Sequence, residues 1–194
     1  HGFPPYSEGG NVHGDCLRGS ERVELQSESY DRNGSESWYA WSIYHQNYQF
    51  LDGPSVTHGQ FKHVKTTGSG NKDDPSPGGC TDCLVFFQPR ADRGMMVSFV
   101  NFETGRPEVL IPKGEINNKW HDILVHAKWS TRSNGLFQVW VNGKLKVNQK
   151  GANFKQGNNP IRFKFGVYRS DLYRTSKNYT QIVYYDEVMR GNSC

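Results

Sequence analysis

The sequence predicts an all-β sandwich, and three observations point to this fold class. Aromatic residues are frequent, with 5 Trp, 10 Tyr and 11 Phe, although only 35% of the chain is hydrophobic. Gly (21) and Pro (9) residues interrupt short apolar stretches throughout. The chain contains no amphipathic run of useful helical length. Short apolar segments separated by turn residues are typical of sandwiches built from antiparallel strands.

The length and charge of the chain limit its organisation and its partners. At 194 residues it is predicted to be a single domain, residues 1–194, with room for a substantial core. No segment approaches the length needed to cross a bilayer, so we expect a soluble protein with no membrane partner. We also expect it to be a monomer. The net charge of +4 is mild, and the basic residues are scattered. This favours an acidic polymer as partner and argues against nucleic acid.

Strand-like segments recur at the spacing of a sandwich after an irregular start over residues 1–20. We predict strands at roughly 22–28, 38–44, 58–64, 83–88, 95–102, 119–129, 136–142, 144–149, 161–168 and 180–189. Asn142-Gly143 separates two of these segments and is a strong signal for a two-residue hairpin turn. Residues 66–79, rich in Gly, Ser, Pro and Asp, form the longest predicted loop, placed to border a groove.

The strand predicted at 161–168 has two very different faces. Strict alternation puts one set of side chains into the core: Ile161, Phe163, Phe165 and Val167. The opposite face consists of Arg162, Lys164, Gly166 and Tyr168. Two cations, a missing side chain and a phenol suit a groove for an anionic ligand. An exposed strand with a cross-strand tyrosine would have the same pattern.

Two further predicted strands also present faces of long polar side chains. In the strand at 22–28 this face consists of Arg22, Glu24, Gln26 and Glu28. In the strand at 58–64 it consists of His58, Gln60 and Lys62. If the three polar faces line one concave sheet, they form a trough of mixed charge that can hold an extended sugar chain.

The four cysteines are interpreted as two disulfides. Cys80 and Cys83 have the spacing of a redox or zinc motif, but the chain has no second such pair and no strand-to-helix context. We therefore predict a local disulfide between Cys80 and Cys83. A second disulfide, between Cys16 and Cys194, would tie the two ends of the chain together.

Two glycosylation sequons and the first residue favour an extracellular protein. The sequons lie at 33–35 and 178–180. The chain starts at His1 with no signal peptide, as a processed mature form would. Together with the cysteines, these features predict a secreted glycoprotein.

Several phrases of the sequence resemble one known family. KWHDILVHAKWS at 119–130 is followed by FQVWVNG at 137–143, KFGVYR at 164–169 and VYYD at 183–186. In this order and spacing they resemble the heparin-lyase-I-like polysaccharide lyases, and within these the fungal glucuronan lyases (polysaccharide lyase family 20). The resemblance runs from about residue 20 to the C-terminus. The Lys-x-Gly-x-Tyr and Arg-x-Glu-Leu strands are also similar to those of alginate lyases that share the same jelly roll.

The resemblance implies a concanavalin-like β-jelly roll whose concave sheet cleaves uronic-acid polysaccharides by β-elimination. The tyrosine of its Lys-x-Gly-x-Tyr strand, which corresponds to Tyr168, is then the proton-transfer residue. A glutamine on a separate strand, corresponding to Gln60, binds the substrate carboxylate. Alginate lyases usually have a histidine two residues after that glutamine, whereas this chain has Lys62 there and His63 on the opposite face. This departure argues against a standard alginate lyase and leaves the base less certain.

β-Elimination requires a neutralised carboxylate, a base for the proton alpha to it and an acid for the departing 4-oxygen. Gln60, Lys62 and Arg22 are assigned to the first task. Tyr168 is assigned to the other two, because two cations of its own strand favour a phenolate. The residues expected to bind substrate are Arg22, Glu24, Arg162, Lys164 and Gln138.

Two histidines are kept as alternative bases. His45 ends the strand at 38–44, and His58 shares a predicted face with Gln60, so both are expected to reach the groove. His126 is interpreted as an ordinary sheet residue.

We therefore predict an endo-acting lyase that cleaves a β-1,4-linked polyuronate, glucuronan first, and leaves an unsaturated uronic acid at the new chain end. Its partner would be an acidic polysaccharide, and no cofactor is required. The family and the acidic pair at 73–74 suggest a structural calcium ion, but no metal ligands are assigned.

Two other functions remain open. His1-Gly2 at a mature N-terminus is the start used by copper-dependent lytic polysaccharide monooxygenases, and His13, His121 or His126 would complete their copper site. The rest of the chain does not resemble that family. A non-catalytic carbohydrate-binding module is the other alternative, because fold does not fix function. Retaining glycoside hydrolases of this fold carry Glu-x-Asp-x-x-Glu, and the chain has no such run.

Overall fold

The computed structural model describes residues 19–64, 83–100, 102, 105–154, 159–177 and 179–192. Its strands form two antiparallel sheets around a shared core, so the predicted all-β sandwich is confirmed. Two short 3-10 helices, Lys113–Glu115 and Leu172–Arg174, lie between strands. Among the helices of these residues, none has the length and apolar character needed to cross a bilayer.

Several predictions fall outside the described residues. They concern the loop at 66–79 with its acidic pair, the sequon at Asn178, and His1, His13, Cys16, Cys80 and Cys194. Cys83 is buried and disulfide-bonded. Both predicted pairings stay predictions, because each needs a cysteine that the structure does not describe.

Most strands follow the predicted segments. They are β1 (Glu21–Gln26), β2 (Glu36–Gln46), β3 (Ser55–His63), β4 (Cys83–Arg90), β5 (Gly94–Phe99), β6 (Glu108–Pro112), β7 (Trp120–Lys128), β8 (Leu136–Val141), β9 (Lys144–Lys150), β10 (Ile161–Ser170) and β11 (Ile182–Gly191). The prediction missed β6, a five-residue edge strand that ends in proline. The predicted hairpin at Asn142-Gly143 joins β8 to β9, with φ angles of 49° and 73°.

The three strands predicted to carry polar faces lie side by side in one sheet. The six-stranded sheet, called the front sheet here, has the order β1-β10-β3-β4-β5-β6. The five-stranded back sheet has the order β11-β2-β7-β8-β9. Since β10 pairs with both β1 and β3, its outer side chains stand between those of the other two strands.

Aromatic side chains fill the space between the sheets. Phe61 and Phe163 of the front sheet have ring centroids 4.9 Å apart. Tyr39 and Trp41 of the back sheet lie 4.9 Å from Phe61 and 5.0 Å from Phe163 respectively. Removal of this apolar surface from water is the main source of stability of the sandwich. It also fixes which face of each strand is left for a ligand.

A β-bulge between β10 and β3 changes which side chains face outward. Phe165 pairs with Gly59, but Tyr168 pairs with Thr57, so β10 has two residues where β3 has one. A bulge of this kind shifts the alternation of the strands by one residue. Thr57 therefore lies beside Tyr168, and His58 turns into the core.

Gly166 and Tyr185 hold the bulge in place. Gly166 has a φ of 130°, and a Cβ there would lie 2.1 Å from the carbonyl oxygen of Val23 on β1. Only glycine allows β1 to approach this closely. The hydroxyl of Tyr185, on the back sheet, lies 2.7 Å from the carbonyl oxygen of Gly166 and 2.8 Å from that of His58. It donates to the backbone where the bulge interrupts the pairing.

Candidate active site

Seven of the predicted site residues share the outer face of the front sheet. We call them the front-face cluster: Arg22, Glu24, Gln60, Lys62, Arg162, Lys164 and Tyr168. Cross-strand pairing brings them together, because Tyr168 lies opposite Arg22, and Lys164 lies opposite Gln60. Arg162 likewise lies opposite Lys62. The cluster contains four cations and one carboxylate, so it carries a net positive charge suited to an anionic ligand.

Glu24 is the centre of the cluster. Its Oε1 accepts a hydrogen bond from Gln60 Nε2 at 2.5 Å. Its Oε2 accepts from Lys164 Nζ at 2.7 Å and from Arg22 at 3.1 Å. The Glu24 side chain is only 2% exposed. Charge-assisted hydrogen bonds in so dry a place are strong and directional, so Glu24 fixes the positions of an amide and two cations.

Tyr168 lies at one end of the cluster. The Arg22 guanidinium carbon is 4.3 Å from the centroid of the Tyr168 ring, a cation–π contact. Tyr168 is half-buried, and it pairs with Thr57 of the neighbouring strand. This contact and the bulge together set the direction of the phenol.

Arg162 lies at the other end and is held from two sides. Its guanidinium donates to Gln26 of β1 and to the hydroxyl of Tyr30. Gln26 was named in the alternation of its strand, but Tyr30 was missed, because it lies beyond the end of β1 in a segment without periodicity. Lys62 is half-buried beside Arg162.

The expectation that His45 and His58 reach the groove is wrong. His45 and His58 are 0% and 1% exposed and face the space between the sheets. His45 Nε2 lies 2.9 Å from His58 Nδ1, and His58 Nε2 lies 3.3 Å from the hydroxyl of Tyr48. His45 is buried because it lies on the inner face of β2. His58 is buried because the β-bulge turns it from the predicted outer face into the core.

Burial also makes both histidines unsuitable as surface bases. Desolvation lowers the pKa of His45 to about 3, with His121 adding to the effect. Burial, followed by the proximity of His45, lowers the pKa of His58 well below its ordinary value. Burial therefore favours the neutral form of both rings, and neither contacts the outer face.

Gln138 does not belong to the front-face cluster, which corrects its assignment to the substrate-binding set. It lies on β8 in the back sheet, where its amide group contacts His126 and Asn148 at 3.1 Å each. Sequence alternation identified its outward direction, but it could not identify the sheet.

The described residues do not contain a group of three or more His, Cys, Asp or Glu side chains that could hold a metal ion. Two histidines considered for a copper site have other partners. His121 Nε2 lies 2.9 Å from the Glu115 carbonyl oxygen, and His126 Nε2 lies 2.8 Å from Glu36 Oε1.

Comparison with solved structures supports the fold. An endo-β-1,4-glucuronan lyase from the fungus Trichoderma reesei is 18% identical, with a TM-score of 0.67 over 91% of this chain and 76% of that one. An alginate lyase from Pseudomonas aeruginosa is 17% identical, with a TM-score of 0.56 over 88% of this chain and 73% of that one. A cellulose-induced protein, Cip1, is 12% identical, with a TM-score of 0.51 over 93% and 76%. At these identities the likeness shows the jelly-roll fold alone.

Comparison of sequences shows the family. Among curated proteins no sequence matches this chain. The family model described as polysaccharide lyase matches residues 6–189. This match spans nearly the whole chain, including every residue of the front-face cluster. The chain therefore belongs to the polysaccharide lyase family and is an enzyme that acts on polysaccharides.

Proposed function

We propose that this lyase cleaves a β-1,4-linked polyuronate by β-elimination within the chain, with glucuronan as the first candidate substrate. The observation that carries the proposal is the front-face cluster, in which an amide, several cations and a phenol share one face of the front sheet. The cations match the carboxylates that repeat along a polyuronate. Glucuronan comes first because the Trichoderma reesei enzyme, whose fold is similar, is a glucuronan lyase.

The first step is neutralisation of a substrate carboxylate. Lys164 and Arg22 supply positive charge, and Gln60 has a second amide hydrogen besides the one donated to Glu24. Drawing charge away from the carboxylate makes the proton alpha to it more acidic. Because Glu24 already orients these three groups, little reorganisation is needed when substrate binds.

The second step is transfer of the proton by Tyr168. In the proposed step its phenolate takes the proton from C5, the C4–O4 bond breaks, and a C4=C5 double bond forms. The same phenol then gives the proton to the departing 4-oxygen. In a 4-linked glucuronic acid the C5 proton and the 4-oxygen lie on one face of the ring, so one residue suffices.

The position of the histidines supports a tyrosine mechanism. Among the described residues, the five histidines lie in the core or on the back sheet, and Tyr168 supplies the phenol of the front-face cluster. Guluronate or iduronate would place the C5 proton and the 4-oxygen on opposite faces and would call for a second residue. This arrangement supports glucuronate or mannuronate as the cleaved unit.

The decisive experiment is a panel of polyuronates assayed for the ultraviolet absorbance of the unsaturated product. We expect absorbance with glucuronan and slower formation, or none, with guluronate-rich alginate. Absence of absorbance on the whole panel would overturn the proposal. Oxidised sugars formed with copper and a reductant would then indicate a monooxygenase, and binding without turnover would indicate a carbohydrate-binding module.

Tyr168→Phe tests the mechanism itself. The change keeps the ring against Arg22 and removes only the hydroxyl, so binding should survive while kcat falls by about 100-fold or more. Tyr30→Phe is the matched control, since it also removes one phenolic hydroxyl and keeps a ring that lies against an arginine of the cluster. A Tyr168→Phe enzyme with wild-type kcat would remove the tyrosine from the mechanism.

A further inference from the structure

The outer face of the back sheet contains a cavity that the proposed lyase site does not use. Its volume is about 280 Å³. Ala40 and Ser42 of β2 and Leu124 of β7 form its floor, and strand register places Trp140 and Met189 at opposite sides of it. We call this cavity the back-sheet trough. It lies on the opposite sheet from the front-face cluster.

The Trp140 wall is held rigidly. The Trp140 and Trp38 rings are stacked with centroids 5.8 Å apart. The Trp38 ring also stacks on the His126 ring, with centroids 4.1 Å apart and nearly parallel planes. His126 is fixed in turn by Glu36 and Gln138. A preorganised indole at the side of a shallow trough is a surface on which a sugar ring stacks at little entropic cost.

The rim of the trough is acidic. Asp122 and Glu187 line it, and strand register places Asp186, Ser42 and Asp122 in one row across the sheet. Ser42 donates to Asp122 at 2.7 Å, which orients that carboxylate. In the described part of the chain, none of the three carboxylates belongs to an ion pair. The lining residues include no Lys, Arg or His.

This charge selects among glycans. A polyuronate would be repelled by three carboxylates, whereas protonated amines would be attracted to them and to the face of the indole. The thioether of Met189, which is 58% exposed, completes an apolar patch for the hydrophobic face of a pyranose. A cavity of this size holds about one sugar unit of a longer chain.

We propose that the back-sheet trough binds a polysaccharide of glucosamine units with free amino groups. Trp140 stacks on a pyranose face, and the carboxylates of Asp122, Asp186 and Glu187 bind the ammonium groups. The enzyme thereby attaches to a cationic glycan through one sheet while the other sheet remains free for its substrate.

Isothermal titration with glucosamine hexamer at pH 6 and low salt tests this assignment. We expect saturable binding to the wild-type chain, at least tenfold weaker binding to Trp140→Ala, and a similar loss for Asp122→Asn combined with Asp186→Asn. Trp120→Ala is the matched control, because Trp120 is exposed on the same sheet but packs on Tyr44 outside the trough. It should bind as the wild type does.

Each contrary outcome overturns the proposal. The proposal is wrong if the wild-type chain does not bind glucosamine hexamer, or if Trp140→Ala binds it as tightly as the wild type does. It is also wrong if hexamers of glucose and N-acetylglucosamine bind as tightly as glucosamine hexamer. All variants should form lyase product at the wild-type rate, which also shows that they are folded. Glycan binding and formation of lyase product are measured separately. A wrong assignment of the trough can therefore be distinguished from a wrong lyase substrate.

Discussion

Glu24 shows how one side chain can organise a site without touching the reacting atoms. It lies between Gln60, Lys164 and Arg22 and accepts a hydrogen bond from each. Its Arg-x-Glu-Leu context in the sequence marked it as a substrate-binding residue. We propose a positioning role for it instead, since its carboxylate is buried and is occupied by these three hydrogen bonds.

Glu24→Gln should separate positioning from binding. The neutral amide cannot hold two cations in place, so kcat should fall by about tenfold or more through misplacement of the carboxylate-binding groups. KM should not rise, because the cluster gains net positive charge. Steady-state kinetics on the best polyuronate measures both constants. Glu24→Asp should restore part of the loss in kcat, and a Glu24→Gln enzyme with unchanged kcat would show that these groups need no such anchor.

Arg162 should act mainly through charge. It lies at the far end of the cluster from Tyr168, so Arg162→Ala should raise KM severalfold with little change in kcat. The ratio of mutant to wild-type KM should shrink as sodium chloride is raised from about 0.05 to 0.5 M, because salt screens exposed charges. Arg132→Ala, an exposed arginine between β7 and β8, is the control. A salt-independent defect would indicate a structural role instead.

At the scale of the element, alternation predicted the outer face of β10 well, that of β1 as far as Gln26, where the strand ends before Glu28, and that of β3 only in part. The polar face of β10 lies where its pattern placed it, because β1 pairs with β10 without interruption. The bulge could not be predicted, since it depends on how β3 pairs with β10 across many residues of sequence. His58 was therefore assigned to the wrong face. The assignment of Gln138 to the substrate-binding face was wrong for a related reason, because an amphipathic strand has the same sequence pattern in either sheet.

Tyr185→Phe should destabilise the bulge. Without the hydroxyl, the carbonyl groups of Gly166 and His58 lose the single hydroxyl hydrogen that they share in a buried place, which costs about 1–3 kcal/mol of unfolding free energy. Since the bulge directs Tyr168, kcat should fall as well. Urea unfolding measures the first effect and the lyase assay the second. Tyr184→Phe, one residue away and 48% exposed, should change stability by less than about 0.5 kcal/mol.

At the scale of the whole molecule, the two sheets are joined by polar contacts as well as by aromatic packing. His45 of the back sheet contacts His58 of the front sheet, and Tyr185 reaches across to the front-sheet backbone. The sequence predicted the sandwich and its aromatic core but not these contacts. The sequence around two histidines on separate strands has the same pattern whether their side chains meet in the core or face solvent.

The buried histidine pair should make the fold sensitive to mild acid. Burial lowers the pKa of His45 to about 3 and that of His58 well below its ordinary value, whereas both titrate near 6.5 in the unfolded chain. The unfolded state therefore binds more protons below pH 6.5, and the stability present above that pH is lost as the pH falls towards 3. Between pH 7 and pH 5 His45 alone should reduce the unfolding free energy by about 2 kcal/mol, and His58 should add to this loss. Urea unfolding at a series of pH values measures this loss, and His58→Gln, whose amide can still form hydrogen bonds but cannot titrate, should show a smaller loss. A wild-type unfolding free energy that stays constant from pH 7 to pH 5 would mean that the two imidazoles can be protonated within the folded protein.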